Sequence, residues 1–180
     1  MNFVQPIRDP QKIDAMKAYL KNKRERDYML FLVGISIGLR ISDILQLQKE
    51  DALKSHIDIK EKKTRKHKRV KVPPFIKREL IAYANSLQEG DYLFRSRQGG
   101  NRPIDRSTAY RILREAADAC GVQEIGTHTL RKTFGYHFYQ QTKDIATLQE
   151  LFNHTDQETT LRYIGINQDS LDKAMSKFRI

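Results

Sequence analysis

The chain has 180 residues, with 33 lysines and arginines against 22 aspartates and glutamates, and its formal charge is +11. This length is typical of one domain. The single cysteine, Cys120, excludes an internal disulfide and a zinc site built from cysteines. The longest apolar stretch, residues 29–37, is far shorter than the ~20 residues that span a bilayer, and the first residues lack a signal-peptide pattern. We therefore expect a basic, soluble, cytoplasmic protein.

Three helices are expected before the first charged cluster. Asp9 and Pro10 form an N-cap and a first-turn proline, so the first helix should start there. A second helix should begin near Arg26 and continue through residues 29–37, whose hydrophobicity on all sides indicates burial in the domain centre. A short helix capped by Ser42 should follow.

The middle of the chain predicts a β-hairpin, formed by residues 56–62 and 68–72 around a polar turn. A proline pair ends this hairpin, and residues 75–87 have the spacing of an amphipathic helix. A glycine-rich loop follows, with one short strand at residues 92–94. Further helices are expected at residues 107–120, 129–141, 144–152, 158–164 and 169–178. The prediction is one mostly helical α+β domain with a small antiparallel β insert.

The positive charge is concentrated in the hairpin. Residues 60–71 hold eight basic side chains and one acid, a local charge of +7, which leaves only +4 for the rest of the chain. Concentrated basic charge favours a phosphate-rich partner such as nucleic acid, because each cation near the backbone releases condensed counterions. A solvated hairpin that only confers solubility is the alternative. An acidic membrane surface fits less well, since the segment lacks interleaved apolar anchors.

Two arginines have unusual surroundings. His128 and Arg131 are three residues apart, so on a helix they share one face, where arginine can bind phosphate oxygens and histidine can move a proton. A surface pair without function is the alternative. Arg40 follows the apolar stretch, and a buried unpaired charge is costly, so Arg40 needs an anion. That anion is Asp43, another acid or a ligand phosphate.

Tyr163 is the third candidate, nine residues after His154. The phenol has a pKa of about 10, so a nucleophilic tyrosine needs a base or neighbouring cations. A tyrosine near the carboxyl terminus is usually a packing residue. This one accompanies two arginines, two histidines and a lysine-rich hairpin, which makes it a candidate nucleophile.

Taken in order, these motifs resemble the tyrosine recombinase (phage integrase) family. They are GLRISDIL with Arg40, a lysine in the hairpin, HTLR with His128 and Arg131, LFNH with His154, and LRYIG with Tyr163. The resemblance covers nearly the whole chain and implies the catalytic-domain fold of that family. The match is closest to integrases of conjugative elements and prophages, so the resemblance implies a bacterial or phage-derived protein at the nucleoid.

The resemblance also implies a role for each residue. Tyr163 would attack a DNA phosphodiester to give a 3′-phosphotyrosyl intermediate and a free 5′-hydroxyl. Arg40 and Arg131 would stabilise the charge on the phosphate. His128 would be the general base and His154 would hydrogen-bond the phosphate. Because one phosphodiester is exchanged for another, no metal ion, nucleotide or other cofactor is required.

A hairpin lysine would protonate the leaving 5′-oxygen. Lys63 lies where the family places this acid relative to Arg40, and Lys66 is the second choice. Double-stranded DNA is the implied partner, and the DNA backbone contacts would come from six other hairpin cations, Lys60, Lys62, Lys66, Lys68, Arg69 and Lys71.

Only about 39 residues precede Arg40, so residues 1–180 are expected to form a single catalytic domain without the amino-terminal core-binding domain of longer integrases. The chain is then either an excised domain or a short integrase. Residues 167–180 are expected to pass to a neighbouring copy on DNA. Two alternatives remain: a topoisomerase of type IB, which shares this chemistry, and a DNA-binding module without activity, which the complete residue set disfavours.

Overall fold

The computed structural model describes residues 4–179, so Ile180, the last residue of the expected exchange segment, lies outside the described residues. The fold is the mostly helical α+β arrangement that the sequence predicts, and only the short helix α4 was not expected. The elements are α1 (Pro10–Lys23), α2 (Glu25–Ile37), α3 (Ile41–Ile44), α4 (Lys49–Leu53), β1 (His56–Lys60), β2 (His67–Lys71), α5 (Pro74–Asn85), α6 (Arg106–Ala119), α7 (Thr129–Thr142), α8 (Ile145–Phe152), α9 (Gln157–Tyr163) and α10 (Ile166–Lys177).

Helix α2 lies at the centre of the core. Leu30, Phe31 and Val33 are fully buried, and α2 packs against α1, α5 and α7. The helix ends at Gly38, whose left-handed backbone turns the chain sharply. This confirms the central helix and explains why Arg40, two residues later, emerges directly from the core. Among the described residues, no helix has the length and apolar character to cross a membrane.

Two predictions about short elements are wrong. The N-cap of α3 is Arg40 and not Ser42, because the carbonyl of Arg40 accepts the first helical hydrogen bond, from the backbone N–H of Asp43 at 2.9 Å. The strand predicted at residues 92–94 is reduced to an isolated bridge between Tyr92 and Gln48.

The β-hairpin is present, with β1 two residues shorter than the sequence predicts and β2 of the predicted length but shifted by one residue. β1 and β2 pair antiparallel from His56 opposite Lys71 to Lys60 opposite His67. The turn takes residues 61–66, and the backbone N–H of Glu61 donates to the carbonyl of Lys66 at 3.0 Å. This tight turn brings the hairpin tip beside the α2–α3 connection.

Candidate active site

Five of the six predicted catalytic side chains come together, from four separate parts of the chain. Arg40 precedes α3, His128 caps α7, and Arg131 lies in the first turn of α7. His154 follows the left-handed cap of α8, and Tyr163 is the last residue of α9. Helix ends therefore position all five around one point.

The side chain of Tyr163 contacts both histidines, His128 through its hydroxyl and His154 through its ring. His128 Nδ1 is 3.3 Å from the tyrosine oxygen. The His154 ring centre is 5.1 Å from that of Tyr163, and Thr160 Oγ1 is 3.1 Å from His154 Nδ1. The ring of Tyr163 also packs edge-on against Phe152 at 5.4 Å. The ring contacts thus hold the phenol, while its oxygen faces the imidazole of His128.

Arg131 is fixed in the protein interior, with only 3% of the residue exposed. Its two terminal nitrogens donate to the carbonyls of Gly38 at 2.8 Å and Phe152 at 3.0 Å. Its guanidinium carbon lies 4.3 Å from the centre of the Phe152 ring. Two backbone carbonyls from different elements therefore set the orientation of this guanidinium.

Arg40 is paired with Glu61, which resolves the alternatives left open by the sequence. Arg40 Nη1 is 2.8 Å from Glu61 Oε1, and the side chains are 16% and 0% exposed. The carboxylate of Asp43 instead accepts a hydrogen bond from the backbone N–H of Lys62 at 2.9 Å. The acid paired with Arg40 is therefore Glu61, the one acid among residues 60–71.

Burial and neighbouring positive charges shift the pKa values of the tyrosine and the two histidines. Desolvation raises the pKa of Tyr163, and the positive charges of Arg131 and Arg40 oppose that rise. Desolvation, with the charges of Lys132 and Arg131, lowers the pKa of His128. Desolvation likewise lowers the pKa of His154. Both imidazoles are therefore neutral near pH 7, and neutral His128 can accept the phenol proton.

Strand alternation divides the basic hairpin into two faces. Ile57, Ile59 and Val70 point inward, and so does Lys68, which pairs with Ile59. The other predicted DNA contacts lie on the exposed face or in the exposed turn, and these are Lys60, Lys62, Lys66, Arg69 and Lys71. Lys63 is exposed in the same turn, and its charge contributes to lowering the pKa of His128.

Lys68 is largely buried, whereas the sequence predicts that it contacts DNA from the surface. Its side chain is 9% exposed, its ammonium donates to the carbonyl of Leu151, and it lies 3.7 Å from Glu61 Oε1. Burial and the neighbouring charge of Arg131 lower the pKa of Lys68 to about 8. The reason is its position in the strand: the residue opposite Ile59 must face the core.

Glu61 is the site residue that sequence reasoning missed. A usable signal was present, because Ile57, Ile59 and Glu61 follow the period of two that points side chains inward. Among the described residues, no three histidine, cysteine or carboxylate side chains are grouped so that they could hold a metal ion.

Gly38 supports the site through its backbone. Its φ is +65°, and an added Cβ would lie 2.4 Å from Phe134 Cδ1. We expect Gly38→Ala to lower the free energy of unfolding by about 3 kcal/mol, from left-handed strain and overpacking together. Gly121→Ala is the matched control, because Gly121 has φ +64° but open space around it, and it should lose only about 1 kcal/mol. Urea unfolding measures both, and equal losses would contradict a role for the Phe134 contact.

The chain matches known proteins over nearly its whole length. A model of the phage integrase family matches residues 8–169. The chain is 52% identical over 179 residues to the probable integrase/recombinase YoeC of Bacillus subtilis (strain 168), and the match covers 99% of this chain and 98% of YoeC. It is 29% identical over 174 residues to tyrosine recombinase XerA of Thermococcus onnurineus (strain NA1), covering 94% of this chain and 61% of that protein.

Solved structures share the fold. The crystal structure of a XerA recombinase matches with a TM-score of 0.75 at 22% identity, over 98% of this chain and 66% of that one. A lambda integrase dimer bound to a COC′ core site matches with a TM-score of 0.71 at 14% identity, over 90% of this chain and 60% of that one. From the family match, the YoeC relationship and the clustered arginines, histidines and tyrosine, we conclude that the chain belongs to the phage integrase family of tyrosine recombinases.

Proposed function

We propose that this protein cleaves and rejoins DNA strands in site-specific recombination, with Tyr163 as the nucleophile. The observation that carries the proposal is the 3.3 Å separation between the Tyr163 hydroxyl and His128 Nδ1, beside two arginines. The phenol oxygen forms a bond to the phosphorus of a DNA phosphodiester, and the bond from phosphorus to the 5′-oxygen breaks. The products are a 3′-phosphotyrosyl ester and a 5′-hydroxyl, and the reverse step rejoins the strand.

His128 takes the phenol proton in this scheme. The protein environment lowers the pKa of His128, so its ring is an unprotonated base at neutral pH. The rate of cleavage should therefore fall as the pH falls through the pKa of His128 and the ring becomes protonated. When the Thr160 hydroxyl donates to His154 Nδ1, Nε2 carries the single ring proton and can donate it in a hydrogen bond to a phosphate oxygen.

Arg40 and Arg131 supply the positive charge that the phosphate transition state needs. A guanidinium presents several N–H donors in a fork that matches phosphate oxygens. Because these cations neutralise the phosphate, and because one phosphodiester is exchanged for another, the scheme needs neither a metal ion nor ATP.

Lys63 is the proposed general acid for the 5′-oxygen. It is exposed in the hairpin turn and close enough for its charge to act on His128. Lys66 in the same turn is the second choice. The exposed cations of the hairpin would hold the DNA backbone, which agrees with a protein that works at the bacterial nucleoid.

A covalent-capture experiment tests the function. The protein is incubated in EDTA with nicked suicide duplexes whose arms are randomised in sequence, and protein–DNA adducts are isolated under denaturing conditions. We expect an adduct with a free 5′-hydroxyl on the released strand, enriched for particular sequences. No adduct, or an adduct only with added metal, would contradict the proposal, and relaxation of supercoiled plasmid without sequence preference would favour a topoisomerase.

Self-association through the carboxyl-terminal segment is the second part of the proposal. Leu171, Met175 and Phe178 are exposed and fall on one face of α10 and its end, and no described residue of α10 is buried. An apolar groove of about 480 Å³ lies elsewhere on the surface, lined by Ile35, Ile37, Val70, Phe75, Phe134, Phe138 and Leu151, among others. We propose that α10 of one copy covers this groove on the next.

We expect the double variant Leu171→Ser, Met175→Ser to stay monomeric on a DNA duplex that assembles two or more copies of the wild type. Removing apolar surface from α10 weakens its association with a groove. Analytical ultracentrifugation measures the assembly. Lys173→Ser is the matched control, because residue 173 lies on the opposite side of α10 from Leu171. Assembly of the double variant at wild-type concentration would contradict the proposal.

A further inference from the structure

Glu61 is the single acid among the residues of the basic hairpin segment, and its side chain has no solvent exposure. Oε1 lies 2.8 Å from Arg40 Nη1 and 3.7 Å from Lys68 Nζ. Oε2 accepts hydrogen bonds from Thr64 Oγ1 at 2.5 Å and from Asn153 Nδ2 at 3.1 Å. These partners come from the α2–α3 connection, the hairpin and the end of α8.

The carboxylate is ionised in this position. Burial by itself raises the pKa of Glu61, but the hydrogen bond from Thr64 and the charges of Arg40 and Lys68 outweigh it, so the pKa is lowered. A buried carboxylate is stable only when it is paired and hydrogen-bonded. Here Oε2 accepts the hydrogen bonds from Thr64 and Asn153, while Oε1 is paired with Arg40 by charge, without a hydrogen bond of good geometry. Its negative charge therefore contributes to the site at neutral pH.

The two arginines of the site are held in different ways. Arg131 donates to two backbone carbonyls, which have no net charge and fix its plane. Within residues 4–179, the acid paired with Arg40 is Glu61. Without this carboxylate, Arg40 would face the positive charges of Arg131 and Lys68 without the ion pair that offsets them.

We propose that Glu61 is a positioning residue that holds Arg40 in the orientation required by the DNA phosphate and ties the Lys63 hairpin to the loop that carries His154. It acts through Arg40 and does not touch the reacting atoms. This inference rests on the proposed function, because it assigns Arg40 to the phosphate.

The first test compares Glu61→Gln with Asp58→Asn. Asp58 lies in the same hairpin, is exposed, and is 3.9 Å from Arg69. Each change removes one negative charge, so both should alter the general attraction to DNA alike. At saturating DNA, we expect Glu61→Gln to cleave a suicide substrate about 100-fold more slowly than the wild type, as a misplaced catalytic group does. Asp58→Asn should stay within about twofold, since exposed ion pairs contribute little.

The second measurement is the NMR signal of the Arg40 Nη1–H group, which faces Glu61 Oε1, assigned by its absence in Arg40→Lys. We expect the signal to be protected from exchange in the wild type and in Asp58→Asn, and exchange-broadened in Glu61→Gln. In a double-mutant cycle, Glu61→Gln should slow cleavage much less in the Arg40→Lys background than in the wild type, because Glu61 acts through Arg40. A general loss of structure would instead act equally in both backgrounds.

Each outcome decides the inference. A Glu61→Gln variant with wild-type cleavage, an unchanged Arg40 signal, or additive effects in the cycle would overturn it. If Glu61→Gln does not fold, Glu61→Asp keeps the charge on a shorter side chain, and a wild-type cleavage rate and Arg40 signal in that variant would overturn the inference. If the wild type forms no adduct, the proposed function fails, while the Arg40 signal still shows whether Glu61 fixes this arginine.

Discussion

Replacing Tyr163 with phenylalanine should abolish the covalent adduct and leave DNA binding and folding intact. The substitution removes only the hydroxyl, so the ring keeps its contacts with Phe152 and His154. Loss of the nucleophile should lower the cleavage rate by about 10⁴-fold or more. The measurement is the amount of adduct formed with a suicide duplex on a denaturing gel, with thermal unfolding and DNA binding measured in parallel.

The matched control is Tyr139→Phe. Tyr139 packs against the same small apolar cluster of Leu148, Phe152 and Ile164, and it also carries a phenol. We expect its removal to leave the adduct unchanged, because Tyr139 takes no part in the proposed chemistry. An adduct of normal yield in Tyr163→Phe would mean that another residue attacks the phosphate, and the role of Tyr163 would be wrong.

Replacing Lys63 with alanine should abolish cleavage of an ordinary phosphodiester and spare a substrate with a 5′-bridging sulfur. A thiolate leaves without protonation, so the general acid is no longer needed. We expect Lys63→Ala to lose about 10²- to 10⁴-fold on the oxygen substrate, the usual range for a general acid. Single-turnover rates on the two substrates measure this difference.

Lys66 and Lys68 are the competing candidates for the general acid. Lys66→Ala should weaken the binding of both DNA substrates, because Lys66 is exposed in the turn. Lys68→Met should slow both substrates alike, because Lys68 is buried against Leu151 and Glu61. The pKa of Lys68, about 8, makes it competent to give a proton. Rescue of Lys68→Met or Lys66→Ala by the sulfur substrate, without rescue of Lys63→Ala, would reassign the general acid.

Local sequence signals predicted most of the elements. Caps, prolines, glycines and apolar spacing depend on neighbours within a few residues, so they located the central helix α2 and the amphipathic helices. These local signals gave a wrong prediction where the structure depends on pairing with a segment distant in the sequence. The strand predicted at residues 92–94 is such a case, since its pairing with Gln48 is a single bridge.

The order and spacing of the motifs around Arg40, His128, Arg131, His154 and Tyr163 were enough to indicate the family. These residues lie at or next to helix ends, and local sequence signals such as caps and glycines indicate where helices end. Their convergence around Tyr163 agrees with that prediction.

The sequence by itself determined most of the helices, the hairpin, the family and the location of the excess positive charge. The tertiary structure alone decided which of those charges face solvent and which are paired inside. Glu61 and Lys68 look like members of one exposed basic segment, yet both are buried beside Arg40 and Arg131. The physical reason is that the energy of a charge depends on its burial and its partners, and the partners here come from segments far apart in the chain.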